Sequence, residues 1–147
     1  RFGCIALHYA ASSGSLECLD LLLRAESNSD ARDRLGVTPL MRAAEIGDAE
    51  AVELLLDFAA TPNKRDKVDS WTALHYAAKN GDVDTILMLL KHGCDYSKQS
   101  ADNQVAQDIA LDKGHKRAAM LLAKWRRRKL FPETTKLTLE EMELFGT

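Results

Sequence analysis

Apolar residues in this chain fall in pairs of short blocks that are separated by a glycine. Residues 73–78 form one such block and residues 83–90 the next, with Gly81 between them. Within each block the apolar positions recur three or four residues apart, which is the spacing of one face of an α-helix. Glycine adopts a left-handed backbone at low cost and therefore ends helices well. Each pair of blocks predicts two short helices joined by a turn.

The same pattern recurs along the chain. The stretch from Trp71 to Asp82 reads WTALHYAAKNGD, and related stretches read IALHYAASSG at 5–14, TPLMRAAEIG at 38–47 and VAQDIALDKG at 105–114. Their glycines, at positions 14, 47, 81 and 114, are 33, 34 and 33 residues apart. Thr72 is a good helix N-cap, and Pro39 sits where a missing N–H costs nothing. Self-similarity at this period predicts a repeat architecture.

The period, the residues that start each first helix and the glycines together resemble the ankyrin-repeat family, over roughly residues 1–125. The resemblance implies an all-α ankyrin-repeat solenoid of about four helix–turn–helix repeats with β-hairpin loops and a C-terminal extension. No single repeat buries its own apolar face, so each relies on its neighbours. We assign residues 1–131 to the repeat domain and residues 132–147 to a C-terminal tail. The approximate repeat bounds are 1–32, 33–65, 66–99 and 100–131.

Two repeats depart from the family pattern. The loop at 64–71 is one residue longer than its counterparts, and Ser70 replaces the usual turn glycine, which predicts an altered hairpin tip. In the fourth repeat Gln107 takes the place of the core leucine and Asp108 that of the histidine. Polar substitution of this kind suits a terminal repeat with one face in water.

The end of the chain does not repeat. A helix is predicted from about Lys116 through a basic run at 126–129, and Pro132 ends it near residue 131. Thr138 and Glu141 then have capping-box spacing, which predicts a short amphipathic helix in the tail. A helix of this length is marginal alone. We expect residues 137–145 to dock on this chain as a cap, on a second copy, or on a partner.

Composition narrows the function classes. The chain has 147 residues, 46% apolar and 29% charged, which is typical of a globular protein. The net charge of −2 gives no overall positive field, so we expect neither nucleic acid nor membrane as a partner. The apolar runs are too short to span a bilayer, and no secretion signal is visible. Because Arg1 falls inside a repeat, we expect a piece of a larger protein.

Three cysteines, Cys4, Cys18 and Cys94, are an odd number without close pairing. They predict small buried thiols in a reduced, intracellular protein. We expect the cytoplasm rather than the nucleus as its location.

No motif in the sequence points to catalysis or to a cofactor. Cys4 with His8, and His75 with His92 and Cys94, are the only candidates for zinc ligands, and neither set has CxxC or HExxH spacing. The resemblance instead assigns His8 and His75 to hydrogen bonds that tie adjacent loops together. There is no nucleophile elbow and no phosphate-binding glycine loop. We expect no enzyme, no metal, no cofactor and no small-molecule substrate.

The ankyrin resemblance implies that partners are bound on a concave face made of hairpin tips and first helices. The matching hairpin positions in this sequence are Arg34, Leu35, Val37, Lys67, Val68, Asp69 and Trp71, followed by Ala101, Asp102 and Gln104. The matching first-helix positions are Arg42, Glu45, Ile46, Tyr76, Lys79, Asn80, Asp112 and Lys113, with Tyr9, Ser12 and Ser13 in the first repeat.

Trp71 and the basic run at 126–129 each have two interpretations. Trp71 is either an interface anchor, since aromatic side chains dominate interface energetics, or it folds back over the neighbouring loop and seals the lengthened hairpin. The run Arg126, Arg127, Arg128 and Lys129 is either a solvated helix end that complements the helix dipole or a basic docking strip. Such a strip would serve as a nuclear-import signal, a contact to anionic lipid, or a site for an acidic peptide.

The sequence thus predicts a non-catalytic protein–protein interaction module of an intracellular scaffold or adaptor, which binds a partner protein or peptide on the concave face. The alternative is a structural or self-associating unit whose tail caps the stack or mediates dimerisation.

Overall fold

The computed structural model describes residues 6–25 and 28–130, and within these ranges the chain forms eight helices and no strand. Each of the four predicted repeat intervals holds one pair, a first helix and a second helix. In chain order the helices are α1 (Ala6–Ser13), α2 (Leu16–Arg24), α3 (Pro39–Ile46), α4 (Ala49–Asp57), α5 (Ala73–Asn80), α6 (Val83–Lys91), α7 (Ala106–Asp112) and α8 (Lys116–Leu130).

Polar side chains fix where the helices begin. The Thr38 hydroxyl accepts the backbone N–H of Met41 at 3.3 Å, and the Asp48 carboxylate caps α4 in the same way at 3.1 Å. At α5 the backbone N–H of Thr72 donates to Nδ1 of His75 at 3.1 Å. These bonds satisfy N–H groups that have no partner inside the helix.

The first helices end where the sequence predicts. Gly14, Gly47, Gly81 and Gly114 all have positive φ, between 76° and 82°. Ala59 adopts the same left-handed conformation after α4, with φ of 65°. Alanine tolerates this conformation poorly, so that helix end is less favourable than the others.

The helices form two layers. The first helices pack side by side in the order α1, α3, α5, α7, and the second helices in the order α2, α4, α6, α8. Buried alanines such as Ala44 and Ala77 line the first helices, and larger residues such as Leu55, Ile86 and Leu89 fill the core from the second helices. This is the predicted all-α repeat solenoid, in which each pair is stabilised by its neighbours.

Two histidines join neighbouring repeats. The Nε2–H of His8 donates to the carbonyl oxygen of Val37 at 2.8 Å, and that of His75 to the carbonyl of Gln104 at 3.0 Å. Burial lowers the pKa of His75, which favours the neutral imidazole that donates at Nε2 and accepts at Nδ1. The predicted loop-tying role of both histidines is confirmed.

The fourth repeat closes the described part of the stack. Gln107 is partly exposed and Asp108 exposed, and the Asp108 carboxylate accepts the N–H of Val105 at 3.1 Å. Helix α8 has 15 residues, against nine in each of the other second helices. None of the described helices combines the length and the apolar character needed to cross a membrane. The predicted tail helix and its docking segment, 137–145, lie outside the described residues.

Candidate functional site

Three loops precede the first helices of repeats two to four, and each is a tight hairpin closed by one backbone hydrogen bond. The N–H of Asp33 donates to the carbonyl of Val37 at 3.0 Å, and that of Ser100 to Gln104 at 2.9 Å. In the third repeat the same bond joins residues five apart, Asp66 and Trp71, whereas the residues are four apart in the other two hairpins. The predicted extra residue in this hairpin is confirmed. The loops have hairpin geometry without forming β-strands.

Neighbouring hairpin tips are also bonded to one another. The N–H of Lys67 donates to the carbonyl of Leu35 at 2.7 Å, and that of Ala101 to the carbonyl of Asp69 at 2.8 Å. Ser70 occupies the left-handed turn position with φ of 56°, where the second repeat has Gly36. The tips are therefore held in a continuous row, which fixes the spacing of the side chains they present.

The hairpin tips and the exposed sides of α1, α3, α5 and α7 form one surface, called here the hairpin–helix face; it is the concave face of the predicted solenoid. A groove of about 290 Å³ lies on it between α1 and α3. Tyr9, Arg42, Glu45 and Ile46 line this groove together with Ser12 and His8. The structure thus brings three predicted positions of α3 together with Tyr9, whose side chain is 57% exposed.

Apolar side chains stay in solvent on this face. Ile46 is 47% exposed and Val68 is 59% exposed, and Leu35 is exposed as well. Single exposed apolar residues are common, but several on one row of hairpins and helices are typical of an interaction site.

Arg42 joins the second hairpin to its own first helix. Its guanidinium donates to the Asp33 carboxylate at 3.2 Å and also lies 3.6 Å from Glu45. Burial alone would raise the pKa of Asp33, but the N–H groups of Val37 and Leu35 and the Arg42 guanidinium outweigh it, so this pKa is lowered. Arg42 therefore has a structural role in addition to its partial exposure on the groove.

Tyr76 occupies the position of Arg42 in the next repeat and makes the equivalent bond. Its hydroxyl donates to the buried Asp66 carboxylate at 2.5 Å. Burial, and after it this hydrogen bond, raise the pKa of Tyr76. The side chain is partly buried.

Trp71 folds back onto its own repeat. Its ring meets Tyr76 edge-on, with centroids 5.2 Å apart, and stacks on His75 at 6.1 Å. The ammonium of Lys79 lies 5.9 Å from the Trp71 ring. The second interpretation of Trp71 is therefore supported, except that it packs on α5 and not on the neighbouring loop. It remains partly exposed on the hairpin–helix face.

One predicted contact residue is wrong. Val37 is 4% exposed, because it lies next to Thr38, the N-cap of α3, and its side chain enters the core. Its backbone serves the scaffold, since the N–H donates to Asp33 and the carbonyl accepts from His8. The other predicted positions are exposed or partly exposed: Arg34, Leu35, Arg42, Glu45, Ile46, Lys67, Val68, Asp69, Trp71, Tyr76, Lys79, Asn80, Asp112 and Lys113.

The fourth repeat holds its part of the face with a side-chain pair. The Gln104 amide donates to the Asp112 carboxylate at 2.8 Å, which joins the hairpin to the end of α7. Lys113 follows as an exposed residue. Hairpin-to-helix bonds thus recur in repeats two, three and four with different residues.

The basic run is helical. Arg126 and Lys129 are exposed in the last turns of α8, and the ammonium of Lys129 lies 5.7 Å from the ring of buried Trp125. Cations at a helix C-terminus complement the helix dipole. The choice between a solvated helix end and a docking strip is not tested by this placement.

The residues considered for zinc binding have other partners. His75 is bonded to Gln104, the ring of His92 donates to the carbonyl of Met88 at 2.9 Å, and the Cys94 thiol donates to a carbonyl at 3.6 Å. Across residues 6–25 and 28–130, no three His, Cys, Asp or Glu side chains are placed to hold a metal ion.

The two described cysteines are free, and they differ in exposure. Burial raises the pKa of Cys94 to about 12, whereas Cys18 is exposed, so the prediction of buried thiols is wrong for Cys18. Cys4 lies outside the described residues.

Two aspartates that the sequence pattern did not single out organise the hairpins. Asp33 and Asp66 are buried, and each carboxylate accepts two loop N–H groups as well as a first-helix side chain. The available signal was an aspartate at the start of two successive hairpins, a residue type that bonds to its own turn.

Comparison with known proteins agrees with this architecture. A family model described as ankyrin repeats in three copies matches residues 7–100 and, in an overlapping match, residues 47–129. Cyclin-dependent kinase 4 inhibitor B of Rattus norvegicus is 33% identical over 113 residues, which cover 77% of this chain and 86% of that protein.

Two longer proteins are similar over part of their length. SH3 and multiple ankyrin repeat domains protein 2 of Homo sapiens is 36% identical over 108 residues, 73% of this chain and 6% of that protein. The probable E3 ubiquitin-protein ligase XBOS33 of Oryza sativa subsp. japonica is 38% identical over 84 residues, 57% of this chain and 16% of that protein. The similarity therefore covers only a small part of these two relatives.

Proposed function

The chain belongs to the ankyrin-repeat family, and from this premise we propose that it is a non-catalytic module that binds a partner protein or peptide on the hairpin–helix face. Ankyrin repeats are generally protein–protein interaction modules. The rat relative is named as an inhibitor of cyclin-dependent kinase 4, a protein target, which supports a protein partner in preference to a small molecule.

The observation that carries the proposal is the row of exposed apolar side chains on an otherwise fixed surface. Ile46 and Val68 remain about half exposed although the backbone beneath them is bonded within and between repeats. A surface that is ordered before binding loses little conformational entropy when a partner docks. Buried apolar anchors inside a polar rim are the usual source of affinity in such contacts.

Charged residues around these anchors supply selectivity in this proposal. Lys67 and Asp69 flank Val68 on the third hairpin, and Glu45 and Lys79 lie on the helices behind it. Charges of both signs on a rim select a partner with the complementary pattern and affect the association rate more than the affinity. The proposed partner segment has an apolar centre with charges on both sides.

The two free thiols are in keeping with the reduced interior of a cell, which we propose as the location.

Paired substitutions test the proposal in affinity capture from a cell lysate with quantitative mass spectrometry. Ile46→Gln with Val68→Gln removes apolar surface from the hairpin–helix face without changing charge. Leu21→Gln with Met120→Gln is the matched control, because both side chains are exposed but belong to second helices, α2 and α8, outside the hairpin–helix face. We expect captured partners to fall at least about tenfold with the first pair and to remain with the second.

Equal capture by both variants would contradict the proposal that the partner binds on the hairpin–helix face. Circular dichroism melts of both variants establish that each is folded.

A further inference from the structure

The side of the fourth repeat that points away from the third is open to solvent. Four positions in and just before the first helix are at most 2% exposed in the second and third repeats: Thr38, Leu40, Met41 and Ala44, and Thr72, Leu74, His75 and Ala78. The fourth repeat has Val105, Gln107, Asp108 and Leu111 there, and all four are exposed or partly exposed. In the earlier repeats the next repeat covers this side, as the bond from His75 to Gln104 shows. No helix follows α8 within the described residues to do so.

This open end carries apolar side chains that a surface in water does not need. Leu111 is 56% exposed, at the position where each of the three earlier repeats has an alanine that is 0% exposed. Val105 replaces the N-cap threonine of the second and third repeats. The polar replacement Asp108 is already bonded to the N–H of Val105 at 3.1 Å. Covering the two apolar side chains would stabilise the protein, since apolar surface favours removal from water.

A groove of about 100 Å³ lies at the same end, between α7, α8 and the loop that precedes the fourth hairpin. It is lined by Tyr96, Ser97, Val105, Gln107, Leu122 and Arg126. A cavity of roughly 150 Å³ accommodates a benzene molecule, so a groove of this size has room for one apolar side chain. Leu111 lies one turn beyond Gln107 on the same side of α7 and extends the apolar surface next to the groove.

The residues that follow α8 can reach this groove from their own copy. Arg126 lines the groove and lies four residues before the end of α8, which is about 6 Å along the helix axis. Residues 131–136 come next, and six extended residues span up to about 20 Å. Residues 137–145 then read LTLEEMELF, in which Leu139 and Met142 have the spacing of one side of a helix.

We propose that segment 137–145 docks in cis on the open end of the fourth repeat, as a short amphipathic helix. Leu139 and Met142 contact the groove and Leu111, where a further repeat would otherwise stack. Apolar contact carries the proposal, and no charge pair with α8 is needed. A helix of this length is marginal alone, and the open end supplies the apolar surface that stabilises it. The proposal does not depend on partner binding at the hairpin–helix face.

Amide hydrogen exchange of the full chain, measured by mass spectrometry, tests the proposal on the variant Leu139→Ser with Met142→Ser. We expect exchange in α7 and in the first turns of α8 to speed up at least about tenfold, because an uncovered end opens more often. Exchange in α2 to α4 should stay unchanged, which also establishes that the variant is folded. Glu140→Ser with Glu143→Ser is the matched control, since it has the same spacing on the neighbouring side of the segment, and it should leave all rates unchanged.

A substitution on the repeat itself locates the contact. Leu111→Ala removes apolar surface from the open end while alanine keeps α7 helical. In the otherwise native chain it should speed up exchange in α7. In the Leu139→Ser, Met142→Ser variant it should add little, because residues in contact have effects that do not add.

Equal exchange in the wild type and in the Leu139→Ser, Met142→Ser variant overturns the proposal, as does equal acceleration by the control. Additive effects of Leu111→Ala and the tail substitutions mean that the segment docks elsewhere, and the proposal is wrong. A difference that appears only at high protein concentration, where analytical ultracentrifugation shows a dimer, means that the segment covers a second copy. That outcome also contradicts docking in cis.

Discussion

The hydroxyl of Tyr76 donates a 2.5 Å hydrogen bond to the buried carboxylate of Asp66, and so fixes the third hairpin to the helix that follows it. Arg42 and Asp33 make the corresponding pair one repeat earlier, at 3.2 Å. Side chains at this first-helix position, which is partly exposed on the hairpin–helix face, thus also hold the hairpins in place. The shape of the hairpin–helix face depends on them.

Replacing Tyr76 with Phe removes this bond and leaves one oxygen of a buried carboxylate without its donor. We expect the free energy of unfolding to fall by about 1–3 kcal/mol, the usual cost of an unsatisfied buried polar group. Tyr9→Phe is the matched control, since Tyr9 has the same repeat position but is exposed, and it should change stability by less than about 0.5 kcal/mol. Urea unfolding of both variants measures the difference, and equal losses would contradict the role given to Asp66.

Much of the scaffold follows from the sequence, because it depends on local rules that repeat. The helix ends at Gly47 and Gly81 require a left-handed residue at a fixed period. The hydrogen bond of His75 to the next hairpin recurs at His8, two repeats earlier. Such features can be recognised in the sequence alone.

The site is less predictable, since it depends on which side chains turn inward. Val37 and Trp71 both lie in hairpins, yet one enters the core and the other packs on α5. Their burial depends on how the hairpins pack against the neighbouring helices, and the repeat period does not describe that packing. A groove between α2 and α4 is lined mostly by acidic residues. It did carry a signal in the sequence, because Glu17 and Glu50 are 33 residues apart, as are Asp20 and Glu53. Acidic residues on separate helices are nevertheless typical of a solvated surface until packing brings them together.

Gly81 is required for close approach as well as for its backbone conformation. A Cβ atom there would lie 2.4 Å from the His115 ring, which is held by a 3.0 Å bond to the carbonyl of Lys79. At Gly114 the conformation is the same but the surrounding space is open. We expect Gly114→Ala to cost roughly 1–2 kcal/mol and Gly81→Ala roughly 1–3 kcal/mol more.

Thermal or urea unfolding compares these two variants. Adding His115→Ala to Gly81→Ala should recover part of the additional loss. If both glycine variants are equally stable, the contact with His115 has no effect on stability.

Ser70 is a site where substitution should stabilise the protein. Its φ of 56° is costly for serine, and glycine adopts this conformation freely. After allowing for the greater freedom of glycine in the unfolded chain, we expect Ser70→Gly to gain about 0.5–1 kcal/mol. Asn103→Gly should gain less, because Asn103 has φ of 60° but asparagine tolerates it. Urea midpoints of the two variants give the comparison, and a loss of stability for Ser70→Gly would show that its side chain contributes to the hairpin.

The two described thiols should react at different rates. A maleimide at about pH 8 should modify exposed Cys18 quickly and spare Cys94, whose pKa is raised to about 12 by burial. Peptide mapping by mass spectrometry identifies the modified residue. Rapid modification of Cys94 under native conditions would mean that the loop around it opens readily.

Burial of Cys94 also affects stability at high pH. The unfolded thiol ionises near pH 8.5, while the folded one stays neutral. Burial of the neutral thiol therefore contributes fully to the free energy of unfolding below about pH 8.5. This contribution is lost as the pH rises towards 12, because ionisation of the thiol favours the unfolded chain. The free energy of unfolding of Cys94→Ala should depend less on pH than that of the wild type above this value.

The central claim is that a partner protein contacts the hairpin–helix face, and site-specific photo-cross-linking tests it most directly. A benzophenone side chain at position 46 places the reactive group on the face, and one at position 21 places an equivalent group on α2, where Leu21 is exposed. Irradiation in cell extract should yield a discrete cross-linked protein from position 46 and none, or a different one, from position 21. The same cross-linked protein in equal yield from both positions, or a partner captured only from position 21, would contradict the account.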